Sequence, residues 1–220
     1  MQCGVSPGFV ASLSRNGYFR MDQQVTMKPH GTTVLGVQRG GTVAVGADGQ
    51  VTMGDVVLKH RARKLRTLAD GAVVAGFAGA VADALTLFAR FESQLDAWDG
   101  NLRRAAVELT KDWRSDRYLR RLEAQLIVAD EESLLVLSGE GDVIEPDDGV
   151  VAIGAGAPFA TAAAKALLTH TQLSAEEIVR AAMAITAEIC IFTNDQLSIE
   201  IVGASESAGS DEADVSDDSK

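Results

Sequence analysis

Thr32 stands directly after a glycine, at the head of the apolar run TTVLGVQRG (32–40). A threonine hydroxyl is a weak nucleophile until a base takes its proton. A threonine at a chain terminus brings its own base, because an α-amine has a reference pKa of about 7.7–8.0, close to working pH. That amine exists only once the Gly31–Thr32 bond is cut. Residues 1–31 then read as a leader whose removal activates an inert precursor. A Gly-Thr pair by itself says no more than that a strand begins, so the rest of the chain decides its meaning.

The other reactive side chains suggest less. Cys190 lies in the apolar stretch EICIF, where a thiol is usually inert packing. His30, His60 and His170 are isolated, and no His/Asp/Cys spacing suits a metal. The run Lys59-His60-Arg61-Ala62-Arg63-Lys64-Leu65-Arg66 has the composition of a nucleic-acid patch, but it sits in a chain of net charge −11. It reads instead as a solvated strand and turn with one inward lysine. Gly154-Ala155-Gly156 follows a strand and opens a helix, as a dinucleotide fingerprint does. Phe159 stands where the third glycine belongs, and no acidic residue follows at the required distance.

The elements around Thr32 follow from periodicity and turn chemistry. Strands are expected at 32–40 and 42–48, joined at Gly40-Gly41, then at 51–53, 64–68 and 72–79, with Asp70-Gly71 closing a second hairpin. Helical spacing covers 82–98 and 101–121, broken at Asp99-Gly100. Strands return at 124–130, 133–139, 142–146 and 150–156. Ala-rich helices follow near 158–170 and 174–191, the second opened by the capping box Ser174/Glu177. A last strand covers 197–203. Runs of strands followed by runs of helices argue for an α+β fold, with two sheets face to face and a helix pair on each outer side.

Composition separates three regions. Residues 1–31 show little periodicity, and Met1, Met21 and Met27 leave the start of the leader open. Residues 32–203 form the domain. Residues 204–220 are rich in Ser and Asp and nearly free of apolar side chains, which predicts a disordered acidic tail. At 46% hydrophobic residues a sizeable core is available, but aromatics are only 5%, so small aliphatic residues must pack most of it. The acidic balance argues against nucleic acid and anionic membrane as partners. The longest apolar stretch, 150–164, falls short of the roughly 18–20 residues of a membrane span. Two cysteines, Cys3 and Cys190, do not make a disulfide framework, and with no export signal at the N-terminus the expected location is the cytoplasm.

The stretches HGTTVLGVQRGG (30–41), GADGQVTMGDVVLKHRARKLRTL (46–68), GFAGAVADALTLFARFE (76–92), AAVELTKDWRSDRYLRRLEA (105–124), GDVIEP (141–146), LSAEEI (173–178) and ICIFTN (189–194) resemble the HslV family. These are peptidase subunits of a bacterial two-component ATP-dependent protease and relatives of proteasome β-subunits. The resemblance spans nearly all of 32–203. It implies a four-layer α/β/β/α sandwich with Thr32 as nucleophile and Lys64 as the ammonium beside it. Asp48 would be the acid pairing that lysine, and Gly76 the backbone N–H donor of the oxyanion hole. It further implies that the backbone carbonyls of Ala187, Cys190 and Thr193 bind a structural monovalent cation such as sodium, with no cofactor needed for catalysis. Relatives often carry Ser at the position of Ala155, where it would orient the amine, and Gly at the position of Ala187.

The function so implied is threonine endopeptidase activity on unfolded polypeptides inside two stacked hexameric rings, fed by an HslU-type AAA+ ATPase. No GxxxxGK[ST] motif is present, so energy for unfolding has to come from that partner. Two other readings stand beside it, an N-terminal-nucleophile amidohydrolase for a small amide and a non-catalytic ring subunit. The near full-length resemblance weighs against the first. The joint presence of Thr32, Asp48, Lys64 and Gly76 weighs against the second.

Overall fold

The computed structural model describes residues 29–30, 32–119, 122 and 124–203. The expected leader, apart from residues 29–30, and the expected acidic tail lie outside the described residues.

Twelve strands, four α-helices and one turn of 3-10 helix (Ala69–Gly71) form the described residues. Strand β1 (Pro29–His30) pairs with β4 (Val51–Met53), which pairs with β5 (Val56–Lys59) in a small three-stranded sheet. A four-stranded antiparallel sheet has the order β11-β2-β3-β12, from Val150–Gly154, Thr33–Arg39, Thr42–Ala47 and Ser198–Gly203. A five-stranded antiparallel sheet has the order β10-β9-β8-β7-β6, from Val143–Ile144, Leu134–Ser138, Ala124–Ala129, Val73–Gly79 and Leu65–Leu68. Helices α1 (Val81–Ala97) and α2 (Leu102–Ser115) cover the five-stranded sheet, and α3 (Ala157–His170) and α4 (Ala175–Ile189) cover the other.

Strand alternation shows why the layers stack. On β2, Val34 faces the other sheet while Leu35 and Val37 face α3 and α4. On β7, Val73, Ala75 and Phe77 face α1 and α2, whereas Val74 and Ala78 face the other sheet. Both faces of these two central strands are buried, so they read as nearly unbroken apolar runs. The result is the expected four-layer α/β/β/α sandwich with three cores.

The turns follow their sequence signals. Gly40 and Gly41 take φ of 61° and 78°, the left-handed pair that a two-residue hairpin requires. Asp99 and Gly100, also left-handed, end α1. The capping box at Ser174 is complete, with Glu177 N–H donating to the serine hydroxyl and the glutamate carboxylate accepting the Ser174 N–H. Two boundaries differ from expectation. Helix α2 stops at Ser115 because the Asp116 carboxylate captures the N–H groups of Tyr118 and Leu119, a side-chain turn that competes with the helix. The expected strand at 142–146 shortens to Val143–Ile144. Among the described residues no helix is long and apolar enough to cross a membrane.

Candidate active site

Four chain segments meet at one edge of the sandwich: the start of β2, the end of β3, the end of β11 and the start of β6. The antiparallel register sets Val34 opposite Ala47 and Thr33 opposite Gly154, so Asp48 and Ala155 arrive beside the Thr32–Thr33 backbone. Ala155 N–H donates to the Thr32 carbonyl at 2.9 Å, and Asp48 N–H to the Thr33 carbonyl at 3.2 Å. The approach is so close that a Cβ on Gly154, which has φ of 92°, would lie 2.0 Å from the Thr32 oxygen.

Asp48 is the hub. Its Oδ1 accepts from Lys64 Nζ at 2.7 Å and from the Thr33 N–H at 2.8 Å, and its Oδ2 accepts from the Gln50 N–H at 2.8 Å. The ion pair joins the two sheets, because Asp48 follows β3 and Lys64 precedes β6. Both side chains are buried, at 0% and 5% exposure. Burial pushes the Lys64 ammonium below the usual lysine range, and the attraction and hydrogen bond of Asp48 oppose that shift without cancelling it. Thr32 is itself 94% buried. It lines, together with Lys64, a cleft of about 1050 Å³ whose apolar wall includes Phe77, Leu85 and Phe88.

The structure thus brings together three of the four residues expected at the site. Gly76 is placed elsewhere. It lies inside β7, opposite Leu65 on β6 and Ile127 on β8, with its amide within the sheet. A Cβ there would strike Val34 Cγ1 at 2.7 Å, on the side facing the second sheet. The missing side chain at 76 is therefore explained by packing between the sheets, and Gly76 is not among the residues that line the cleft. The β7 glycine at the cleft is Gly79, at the open end of the strand with φ of 143°.

Two polar residues that sequence reasoning passed over hold the site in place. Thr33 Oγ1 accepts from the Gly156 N–H at 3.0 Å and shares a 2.7 Å hydrogen bond with Thr193 Oγ1. Asn194 Oδ1 accepts from the Gly49 N–H at 3.0 Å, and its Nδ2 donates to the His60 carbonyl at 2.9 Å. Asn194 therefore ties the Asp48 loop to the loop that carries Lys64. A pair of threonines and an Asn before a strand look ordinary in sequence, so only the fold reveals them. The Gly154-Ala155-Gly156 turn also finds its reason here, since a Cβ on Gly156 would lie 2.3 Å from Thr33 Oγ1. Ala155 itself is exposed and contributes its backbone.

Ala187, Cys190 and Thr193 follow one another around the end of α4. Ala187 lies in the last helical turn, where carbonyls run out of helical donors, and Cys190 is the C-cap. The Cys190 carbonyl accepts the Thr193 N–H at 3.0 Å, which leaves it a second lone pair. A neutral set of carbonyls at a helix C-terminus fits a monovalent cation in charge and chemistry. Cys190 is buried and a free thiol, at the helix end and not within the helix.

Four-layer α/β/β/α architecture with a buried Lys-Asp pair beside a threonine at a strand start defines a class, and comparison with known proteins agrees with it. The proteasome subunit family matches residues 28–202. The crystal structure of eukaryotic HslV from Trypanosoma brucei superimposes with a TM-score of 0.75 at 47% identity, covering 78% of this chain and 99% of that one. BPH from Thiobacillus denitrificans, alone and in complex with epoxomicin, shares the fold at 20% identity, with a TM-score of 0.61 over 79% of this chain and 99% of that one. The chain belongs to the proteasome family and, within it, to the HslV peptidase subunits.

Proposed function

We propose that this chain is a threonine endopeptidase subunit that degrades unfolded polypeptides delivered by an HslU-type AAA+ ATPase. The observation that supports it best is the buried Lys64–Asp48 pair, whose lysine lines the same cleft as Thr32. A salt bridge taken out of water is an expensive way to hold a fold together, and its placement beside a hydroxyl nucleophile gives it a chemical purpose.

In this reading the Gly31–Thr32 bond is cut autocatalytically, freeing the Thr32 amine. The amine accepts the proton of the Thr32 hydroxyl as the oxygen attacks the scissile carbonyl carbon. Lys64 keeps the amine's pKa low by like-charge repulsion and stabilises negative charge on the oxygen. The carbonyl oxygen becomes an oxyanion, and a β7 donor to it has to come from the Gly79 end of the strand, which borders the cleft. Collapse breaks the C–N bond, the leaving amine takes the proton, and an ester of Thr32 remains. Water then hydrolyses that ester with the amine again as base. Asp48 holds Lys64 and the Thr33 amide in place.

The subunits assemble as two stacked hexameric rings in the cytoplasm, so that the site faces a closed chamber. Carbonyls of Ala187, Cys190 and Thr193 hold a sodium ion that braces the loop carrying Asn194. Two measurements test the core of this reading. N-terminal sequencing of active enzyme should read Thr-Thr-Val-Leu, and full activity with Gly31 still attached would overturn the mechanism. Thr32→Ala should lose at least about a thousandfold in peptide hydrolysis while the oligomer stays assembled, because the hydroxyl serves chemistry. Hydrolysis at the parent rate would place the nucleophile elsewhere.

A further inference from the structure

Asp48 leaves one sheet after β3 and Lys64 leads into the other before β6, so their 2.7 Å contact spans the seam. A lysine ammonium sits at the end of a flexible four-carbon stem. Its placement therefore depends on how firmly the two backbones are held together. That hold is set close by, where three segments meet: Asp48-Gly49-Gln50, His60-Arg61-Ala62 and Asn194-Asp195-Gln196. The Ala62 N–H donates to the Gly49 carbonyl at 2.8 Å. Asn194 closes the junction from the third segment. Its Oδ1 accepts the Gly49 N–H at 3.0 Å, and its Nδ2 donates to the His60 carbonyl at 2.9 Å. Gly49 is one residue from Asp48, and Ala62 is two residues from Lys64.

Space and chemistry both mark this junction as built. A Cβ on Gly49 would lie 2.4 Å from the His60 oxygen and 3.1 Å from the Gln196 oxygen, so the three backbones meet with no room for a side chain. An asparagine amide carries an acceptor and a donor on one short fork, and the junction uses both. A carboxylate there would set an oxygen against the His60 carbonyl. Gln50 adds a second tie to the same loop. Its N–H donates to Asp48 Oδ2 at 2.8 Å, and its Nε2 donates to the Ile191 carbonyl at 2.8 Å.

We propose that Asn194 is a positioning residue, fixing the spacing between the Asp48 segment and the segment that leads to Lys64. The ammonium is thereby held where the Thr32 hydroxyl needs it. The proposal rests on the assignment of Thr32 as nucleophile and Lys64 as the cation beside it. Asn194 acts through backbones and not on the substrate, so its effect falls on the chemical step more than on substrate binding.

The test compares Asn194→Ala, Asn194→Asp and Asp195→Ala with the parent, each as the assembled oligomer at one fixed sodium concentration. Intact mass confirms Thr32 as the N-terminus, and a short fluorogenic peptide reports hydrolysis. Asn194→Ala removes both bonds and should lower kcat about ten- to a hundredfold with KM nearly unchanged, the scale of a small misplacement at a reacting centre. Asn194→Asp has the same shape and keeps the acceptor for Gly49, so it serves if the alanine variant fails to assemble. It should lose about three- to tenfold, again in kcat. Asp195 is an exposed neighbour in the same loop, and Asp195→Ala should match the parent. The rate at which a peptide vinyl sulfone modifies Thr32 should fall by the same factors, because it reads the nucleophile without turnover. Leader removal uses the same hydroxyl, so slowed processing in an assembled Asn194 variant also supports the role. Parent kcat in both Asn194 variants, a loss carried by KM, or an equal loss in Asp195→Ala overturns it. A Thr32→Ala control separates the two ideas: parent kcat in the Asn194 variants with hydrolysis still dependent on Thr32 defeats only this proposal, while hydrolysis independent of Thr32 defeats the site assignment beneath it.

Discussion

The two halves of the sandwich are packed in different materials. The five-stranded half, with α1 and α2, buries Phe77, Phe88, Phe91, Trp113 and a row of leucines. The four-stranded half, with α3 and α4, is closed mainly by Ala160, Ala164, Ala175, Ala182 and a few branched residues. Small residues let α4 approach β3 so closely that a Cβ on Gly46 would lie 2.3 Å from Val179 Cγ1. The half that carries Thr32, Thr33 and Asp48 is thus tightly set, and the half that carries Lys64 supplies bulk and the aromatic wall of the cleft. The site lies on the seam, where a fixed backbone on one side meets a charged side chain from the other.

Cutting the seam should have the largest effect. Asp48→Ala removes the carboxylate that faces the buried Lys64 ammonium, a loss of about 3–5 kcal/mol in stability together with loss of hydrolysis. Adding Lys64→Met to that variant should restore much of the stability and none of the activity, with both read from melting and peptide assays at fixed protein concentration. If the double variant regained activity, the pair would be structural only.

The two halves should then respond oppositely to changes of volume. Phe91→Ala removes a wholly buried ring from the bulky half and should cost about 3–5 kcal/mol by opening a cavity. Gly46→Ala adds a single carbon to the tight half and should cost about 1–3 kcal/mol by overpacking against Val179. Gly46→Ala is also expected to lower peptidase activity more per kcal/mol lost, because β3 leads straight into Asp48. Equal activity losses at equal destabilisation would erase the distinction between the halves.

Much of this architecture was legible in the sequence, and the exceptions have physical reasons. The Gly40-Gly41 and Asp99-Gly100 turns take left-handed backbone, and the Ser174/Glu177 pair announces a helix start, so those elements could be placed from chemistry alone. Strand β5 was missed because Val56, Val57 and Leu58 are all exposed, and a run without alternation gives no strand period. Thr32, Asp48 and Lys64 were named through resemblance to a family, since nothing local marks a Lys–Asp pair sixteen residues apart as neighbours. The resemblance gave Gly76 a role at the site, and its missing side chain also answers to Val34 across the sheet interface. Thr33 and Asn194 escaped notice because their partners lie 160 and 134 residues away.

A pH profile sharpens the electrostatic side of the comparison. Lys64 is held below the usual lysine range by burial. As pH rises through that lowered value, the folded protein gives up this proton before the unfolded chain does. In that window the unfolded state binds more protons, so the contribution of Lys64 to stability grows with pH. Its charge, on which the proposed chemistry depends, disappears over the same window. Peptide hydrolysis should therefore show an alkaline decline that begins below the ordinary lysine range, while unfolding monitored at the same pH shows no matching loss from this group. A decline that tracks unfolding step for step would remove Lys64 from the chemistry.

The smallest effect should come from the far end of the tight half. Ser174 caps α4 by accepting the Glu177 N–H, and the Glu177 carboxylate accepts in return from the Ser174 backbone and hydroxyl. These bonds draw the Glu177 carboxyl below the usual range, the backbone Ser174 contact contributing most. Ser174→Ala removes the hydroxyl and should cost about 1 kcal/mol, the ordinary value of an exposed cap. The cap sits at the opposite end of α4 from Cys190, Thr193 and Asn194, with the whole helix between. The α4 core, Ile178, Val179, Ala182 and Met183, stays buried against the sheet whether or not the first turn frays. Peptidase activity at low temperature should be unchanged within error, with only the melting curve displaced. Loss of activity in Ser174→Ala at temperatures well below its melting point would show that α4 transmits strain along its length to the Thr193–Thr33 contact, and that the tight half behaves as one rigid body from cap to nucleophile.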